Sequence, residues 1–173
     1  TGSWMRCWRN LGLGGGGMSS NPLRSPIEAN GALLPYEWEL ASISSVIEKT
    51  KQTDLNKHPQ KRFKYIDVSS VSNSRLTVET HTDYLGAEAP GRARKVVLAD
   101  DVIFATVRPY LKRVAIIPSF YDGAICSTAF CVLRAKQDLV NPHYLFFAIS
   151  SDPFVRNVSE LQKGSSYPAV TDK

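Results

Sequence analysis

The segment between residues 101 and 117 constrains the fold more than any other part of the chain. It contains two apolar runs rich in β-branched residues, 102–107 and 114–117, separated by Arg-Pro-Tyr-Leu-Lys-Arg at 108–113. Strand-like runs separated by a short proline-containing connection are typical of a β-hairpin. Proline cannot donate to a strand ladder, so Pro109 belongs in the connection. The pattern predicts a hairpin whose tip presents three cations and one aromatic ring.

Length and charge narrow the class of protein. The 173 residues suffice for one ordinary domain, and a hydrophobic content of 43% is typical of a globular chain. The net charge is +5, and the surplus is concentrated in the middle, where residues 92–113 hold six cations against two acids. Residues 57–64 add four cations without an acid. This distribution favours an anionic partner that binds the central part of the chain.

The spacing of the cysteines and the length of the apolar runs indicate the cellular compartment. The three cysteines show no CxxC spacing, and we interpret them as reduced thiols of a cytoplasmic protein, with Cys126 and Cys131 packed in strands. No apolar run reaches membrane-spanning length, and the N-terminal residues lack the apolar core of a secretory signal. We therefore expect a cytoplasmic protein without a membrane partner.

The order of the patterns predicts a flexible tail, a strand-rich centre and a helical end. Residues 1–32 contain a glycine run at 14–17 and several Ser, Asn and Pro residues, a composition typical of a flexible tail. Asn141-Pro142 is typical of a helix N-cap followed by proline at the first helical position, and a second helix should follow Asp152-Pro153. We expect a short helix at 44–51 and a loop or helical turn at 81–94. The predicted strands are 38–43, 63–68, 75–80 (pairing back on 63–68), 95–98, 102–107, 112–117 and 129–134.

Motifs that suggest catalysis are weak. Gly12, Gly14 and Gly17 match the letters of a dinucleotide loop but lack the preceding strand and following helix, so we interpret them as linker. Residues 141–144 (Asn-Pro-His-Tyr) nearly match an amino-methyltransferase signature, with histidine where that motif has proline, but a helix start explains the same four residues and we favour it. Asp100-Asp101 predicts a tight turn, and the histidines show no metal-ligand spacing. We predict no catalytic, cofactor-binding or metal-binding residue.

Five segments, in order, carry a resemblance to a known family. They are 34–47 (Leu-Pro-Tyr-Glu-Trp-Glu-Leu, then Ile-Ser-Ser-Val-Ile at 43–47), 65–71 (Tyr-Ile-Asp-Val-Ser-Ser-Val), 89–117 (Ala-Pro-Gly-Arg-Ala-Arg-Lys and the hairpin), 125–133 and 164–170. Their order and spacing resemble the target recognition domain of the specificity subunit in type I restriction–modification enzymes. The family often has glycine where this chain has Asp100, which alters the turn before the hairpin.

The resemblance implies an α+β fold: a single recognition domain with a curved, mostly antiparallel β-sheet and peripheral helices. It places the tail at 1–32, the domain at 33–170 and the start of a long conserved helix at 171–173. Family members carry two such domains, each reading half of a split DNA site, and their long helices dock methyltransferase subunits. The sequence would then be an N-terminal half or a fragment of such a subunit.

The resemblance also implies the activity: sequence-specific binding of double-stranded DNA by a non-catalytic subunit, with methylation and cleavage performed by partner methyltransferase and restriction subunits. Cationic, aromatic and hydroxyl side chains are the expected DNA contacts, because they neutralise phosphates and read base edges. Two alternatives stay open, a DNA amino-methyltransferase fragment that uses residues 141–144 and a protein-interaction module that does not bind DNA. The predicted contacts are Arg92, Arg94, Lys95, Arg108, Tyr110, Lys112 and Arg113, with Ser69, Ser127, Lys163, Ser165 and Tyr167 secondary.

Overall fold

The computed structural model describes residues 41–161 in full and, before them, only the backbone of four strands. These strands are β1 (Trp4–Trp8), β2 (Glu28–Ala29), β3 (Ala32–Leu33) and β4 (Trp38–Ser42). β1 pairs antiparallel with β4, and β2 pairs antiparallel with β3. The glycine-rich segment and residues 171–173 lie outside the described residues, so the predicted tail and conserved helix stay predictions.

Two four-stranded sheets and three α-helices make up the part of the domain between residues 41 and 161. The first sheet is antiparallel with the order β10-β9-β12-β5, and the second has the order β7-β6-β11-β8 with one parallel pair, β6–β11. The predicted α+β class with mostly antiparallel strands is confirmed, and its strands are shared between two sheets. The elements are α1 (Ile43–Val46), β5 (Ile47–Glu48), β6 (Arg62–Ile66), β7 (Thr82–Leu85), β8 (Ala93–Val96), β9 (Val102–Ala105), β10 (Val114–Ile116), β11 (Ile125–Ser127), β12 (Phe130–Ala135), α2 (Pro142–Ser150) and α3 (Asp152–Glu160).

The predicted hairpin is confirmed and lies at the centre of the core. β9 pairs antiparallel with β10, with Phe104 opposite Val114. All four residues of β9 are buried, because side chains alternate between the faces of a strand and both faces are covered. Val102 and Phe104 pack in the cluster formed with the helices, whereas Ile103 and Ala105 pack in the cluster between the sheets. The first sheet is therefore the middle layer of the domain.

The helical end of the domain matches the prediction. The Asn141 side chain accepts hydrogen bonds from the backbone N–H groups of His143 (2.8 Å) and Tyr144 (3.4 Å), and Pro142 occupies the first turn. This geometry confirms the helix start as the explanation of the Asn-Pro-His-Tyr motif. α3 follows from residue 152 as predicted. No helix within residues 41–161 combines the length and the apolar character needed to cross a bilayer.

The partner strand of β6 was predicted in the wrong place. Residues 75–80 were expected to pair back, but the antiparallel neighbour of β6 is β7, inside the stretch 81–94 predicted as a loop or helical turn. The chain first closes a local loop, in which Val71 bridges Val78 and the Ser72 hydroxyl accepts from the Arg75 N–H. This loop uses up the residues expected to form the strand.

The helix predicted at 44–51 is also shorter than expected. α1 ends at Val46, and Ile47 pairs with Ala135 of β12 in β5. The β-branched pair Val46-Ile47 suits an edge strand better than a second helical turn. The predicted turn at Asp100-Asp101 is confirmed, since Asp100 is left-handed (φ 65°) and the Asp101 N–H donates to the Leu98 carbonyl.

Candidate nucleic-acid interface

The strand ends nearest the hairpin tip meet at one edge of the domain. Parallel pairing of Ile66 with Cys126 puts the ends of β6 and β11 side by side, and antiparallel pairing of Ala105 with Phe130 puts the end of β9 beside the start of β12. Backbone hydrogen bonds extend the edge, since the Thr128 N–H donates to the Arg92 carbonyl at 2.9 Å. We call this region, residues 67–71, 91–94, 106–113 and 127–129, the polar edge.

The hairpin connection has an unusual backbone. Arg108 and Lys112 both adopt left-handed conformations (φ 48° and 53°), on either side of the 3-10 turn Pro109–Leu111. Non-glycine residues adopt this conformation in only a few per cent of cases, and such backbone strain clusters at functional sites. Pro109 is buried, whereas Arg108 is exposed and Tyr110 is 54% exposed. The connection therefore places Arg108 and the Tyr110 ring at the surface.

Arg113 faces inward from the same connection. Its Nη1 donates to the carbonyls of Val68 (2.9 Å) and Val71 (2.7 Å). These carbonyls flank the 3-10 turn Val68–Ser70, in which Ser70 is buried and Ser69 is exposed. Arg113 therefore fixes the Ser69 turn against the hairpin connection, across 45 residues of sequence. The side chain braces the polar edge from within.

Lys112 ties the connection to α3. Its Nζ lies 2.8 Å from Asp152 Oδ1, at the first residue of the helix, and the Lys112 side chain is about one-third exposed. The hydrogen bond and the charge of Lys112 lower the pKa of the Asp152 carboxyl. Solvent screens an exposed pair of this kind, so it contributes little to stability. No local pattern predicts this pairing, because the two residues are 40 positions apart.

The remaining predicted cations lie at the start of β8, where two side chains are exposed and one is buried. Arg92 and Arg94 are exposed, and Arg94 Nε donates to the Gly91 carbonyl at 3.0 Å. Lys95 is buried, and its Nζ donates to the Phe130 carbonyl at 2.7 Å. Ser127 is fully buried, and its hydroxyl accepts from the Ala129 N–H. Lys95 and Ser127 thus face into the domain. Their burial corrects the prediction that they contact DNA directly.

The structure brings together most of the predicted site residues within its described part. Arg92, Arg94, Arg108, Tyr110, Lys112, Arg113 and Ser69 all belong to the polar edge, whereas Lys163, Ser165 and Tyr167 lie outside the described residues. The sequence reasoning did not include Thr106, whose N–H and hydroxyl both donate to the Ala129 carbonyl (2.8 and 2.9 Å) and lock the two turns together. Its place directly after an apolar strand was the available signal.

Comparison with known proteins supplies relatives of one kind. The chain is 25% identical over 139 residues to the specificity subunit of the type I restriction enzyme HindI from Haemophilus influenzae, a match that covers 78% of this chain and 28% of that protein. No protein-family model matches the chain.

Two solved structures are similar in both fold and sequence. One comes from work on complex assembly and conformational transition of the type I R-M system (TM-score 0.77, 41% identity, 82% of this chain and 36% of that chain). The other is the HsdS subunit from Thermoanaerobacter tengcongensis (TM-score 0.74, 40% identity, 83% of this chain and 37% of that chain). The chain spans less than two fifths of the length of each relative. In sequence and in fold, the chain therefore matches part of a type I restriction–modification specificity subunit.

Proposed function

We propose that this domain binds double-stranded DNA in a sequence-specific manner through the polar edge. The observation that carries the proposal is the exposed pair Arg108 and Tyr110, held on a left-handed connection that Arg113 and Lys112 tie to two other elements. A rigid scaffold lowers the entropy lost when side chains engage a ligand. The relatives, all named as type I specificity subunits or systems, support the same assignment.

The exposed side chains suit different parts of a duplex. Arginine can bond bidentately to the O6 and N7 atoms of guanine, a contact worth about 1–3 kcal/mol of discrimination against a wrong base. We assign that role to Arg108, at the tip of the hairpin connection. Arg92 and Arg94, at the start of β8, are placed to neutralise phosphates, and the Ser69 hydroxyl can donate to a phosphate oxygen. Lys163, Ser165 and Tyr167 stay secondary contacts of this proposal.

The proposal also gives the chain its place among partners. A specificity subunit lacks catalytic chemistry of its own and directs methyltransferase and restriction subunits to the DNA site that it reads. We propose the same division of labour here, with the polar edge selecting the site and the partner chains carrying out methylation and cleavage. Such a complex acts on cytoplasmic DNA, so the proposal places the chain there.

Replacing Arg108 with alanine tests the proposal. We expect Arg108→Ala to lower affinity for a selected target duplex about tenfold or more, with a smaller effect on random duplexes. Lys49→Ala is the matched control, because Lys49 is exposed and follows β5, which pairs with the far end of β12 from the polar edge. Fluorescence anisotropy with selected and random duplexes measures the affinity of each variant for both kinds of DNA. Unchanged binding of Arg108→Ala to both duplexes contradicts the proposal.

The methyltransferase alternative is disfavoured by one contact. The side-chain oxygen of Asn141 already accepts two backbone N–H groups at the start of α2, so it serves the helix rather than a flipped base. We expect the chain to bind no S-adenosylmethionine in isothermal titration calorimetry. Measurable binding of that cofactor would restore the alternative.

A further inference from the structure

A second basic surface lies at the far end of β6 from the polar edge. A groove of about 360 Å³ opens there on the second sheet, with Lys61, Arg62, Lys64 and His58 in its lining. The buried ring of Phe63, 7% exposed, also lines the groove and belongs to the apolar cluster of this sheet. Since β6 begins at the groove and ends at the polar edge, one strand connects the two surfaces.

The cations of this groove lack carboxylate partners among the described residues. Lys61 and Arg62 are exposed, and neither forms an ion pair with any residue between 41 and 161. This differs from the polar edge, where Lys112 is held by Asp152. Solvated cations that form no ion pair retain their capacity to neutralise an anion.

The two acids that line the groove have other partners. Asp122 accepts the Ala99 N–H through Oδ1 at 2.9 Å. Asp83 lies opposite Lys64 in the β6–β7 register, yet its carboxylate approaches His81 Nε2 at 3.7 Å. Their negative charge weakens the field of the groove, but neither carboxylate forms an ion pair with Lys61 or Arg62.

Lys64 is fixed by an aromatic ring instead of an acid. Its Nζ lies 4.3 Å from the centroid of the Phe120 ring, and Phe120 is 61% exposed. A cation over a ring face keeps its charge while its position is restrained. The groove therefore combines two solvated cations with a third that is held in place by the exposed Phe120 ring beside it.

We propose that this groove binds the sugar–phosphate backbone of the same duplex that the polar edge reads, as a site independent of base sequence. The inference rests on the proposed function. Strand rise is about 3.3 Å per residue, so Lys61 and Asp67 are separated by roughly 20 Å along β6. That is about half of the roughly 34 Å helical turn of B-DNA, so one duplex can span both surfaces.

The salt dependence of DNA binding by the full chain tests the inference. Each phosphate neutralised contributes about 0.9 to the slope of log K against log salt. We expect Lys61→Gln to lower the slope by about 0.9 and Lys61→Gln/Arg62→Gln by about 1.8, with the ratio of specific to random affinity unchanged. Lys49→Gln removes the same charge outside the groove and should leave the slope unchanged. Circular dichroism melts verify that each variant is folded.

A second measurement separates this inference from the proposed function. Titration of the ¹⁵N-labelled chain with inorganic tripolyphosphate should shift the amides of residues 61–64 and 122–124, whether or not the chain binds DNA. No shift there overturns the groove as an anion site. If the groove variants bind duplexes with the wild-type slope while Arg108→Ala loses specificity, the groove fails and the proposed function stands. If tripolyphosphate binds but the wild-type chain binds no duplex, the DNA assignments of both surfaces fail.

Discussion

Arg113 and Arg108 lie five residues apart in the same connection, yet the structure gives them opposite roles. Arg108 is exposed at the start of the turn, whereas the Arg113 guanidinium donates to the carbonyls of Val68 and Val71, at the start and just after the end of the 3-10 turn Val68–Ser70. Their shared residue type made them equivalent in sequence. At this scale, the direction of each side chain separates a group that can contact a ligand from one that fixes the surface around it.

This difference predicts that the two arginines contribute unequally to the free energy of unfolding. Arg113→Met should lower the free energy of unfolding by about 1–3 kcal/mol, because two carbonyls lose their charged donor. Arg108→Ala should change it by less than about 0.5 kcal/mol, since its side chain is exposed. Urea denaturation of both variants provides the comparison. Equal stability losses in the two variants would show that Arg113 does not brace the edge.

Asp152 provides a second test at this scale. Its carboxylate holds Lys112 and adds a negative charge beside the proposed DNA surface. Asp152→Asn should raise affinity for random duplexes several-fold at low salt, because Lys112 is released and repulsion of phosphates falls. Asp138→Asn is the control, an exposed acid beyond the far end of β12. Anisotropy titrations at several salt concentrations measure the effect, and equal gains in both variants would assign it to net charge alone.

Strand β8 shows which side-chain orientations could be predicted from the sequence. Arg92, Arg94 and Lys95 were all predicted as contacts from their charge. Side chains alternate along a strand, so Lys95 shares a face with the buried Ala93 and points inward, whereas Arg94 is exposed. The alternation was readable in advance. The acceptor of Lys95, the Phe130 carbonyl, was not, because it depends on the packing of two strands 35 residues apart.

At the scale of elements, strong apolar periodicity and capping residues predicted strands and helices correctly, whereas a strand with polar residues was missed. The β9–β10 hairpin and the Asn141-capped helix α2 match their predictions closely, since each has a local physical cause. β7 reads Thr-Asp-Tyr-Leu, and its inner face is satisfied mainly by Tyr84 against Phe63 and Tyr65 of β6. A strand stabilised by cross-strand aromatic pairs has little apolar signal of its own.

Gly86 allows a prediction about how β7 is joined to the groove. A Cβ at Gly86 would lie 2.1 Å from the His58 carbonyl oxygen and 2.8 Å from that of Leu55, so the backbone would have to move. Gly86→Ala should therefore destabilise the domain by about 2 kcal/mol or more. Gly91→Ala is the matched control, because a methyl group at Gly91 would meet no other atom within 4 Å. Thermal melts of the two variants compare them, and equal melting temperatures would contradict the close approach.

At the scale of the whole molecule, the first sheet is covered on both faces. The helices cover one face and the second sheet covers the other, through Ile66 and Cys126 among other buried residues. Length predicted one domain and the family resemblance implied the α+β class, but neither predicted this layering, because assignment of strands to sheets depends on long-range pairing. The unbroken apolar run of β9 was the available clue in the sequence, since strands that are buried on both faces have such runs.

The buried layer between the sheets predicts an alkaline limit to stability. Burial raises the pKa of the Cys126 thiol to about 12, and burial also raises the pKa values of Tyr65 and Tyr121. The folded state thus keeps a proton that the unfolded state releases above the ordinary thiol pKa of about 8.5. Its contribution to stability is full below that value and is lost as the pH rises toward 12.

Urea denaturation at about pH 8 and about pH 9.5 measures this contribution. The wild-type free energy of unfolding should fall by about 1 kcal/mol more than that of Cys126→Ala over this interval, because only the wild type carries the thiol linkage. Cys126→Ala is less stable at both pH values through its lost packing, so the comparison is made on the change with pH. The tyrosines titrate mainly above this interval and are shared by both proteins. Parallel declines would mean that solvent reaches Cys126 and that the two sheets do not close over it.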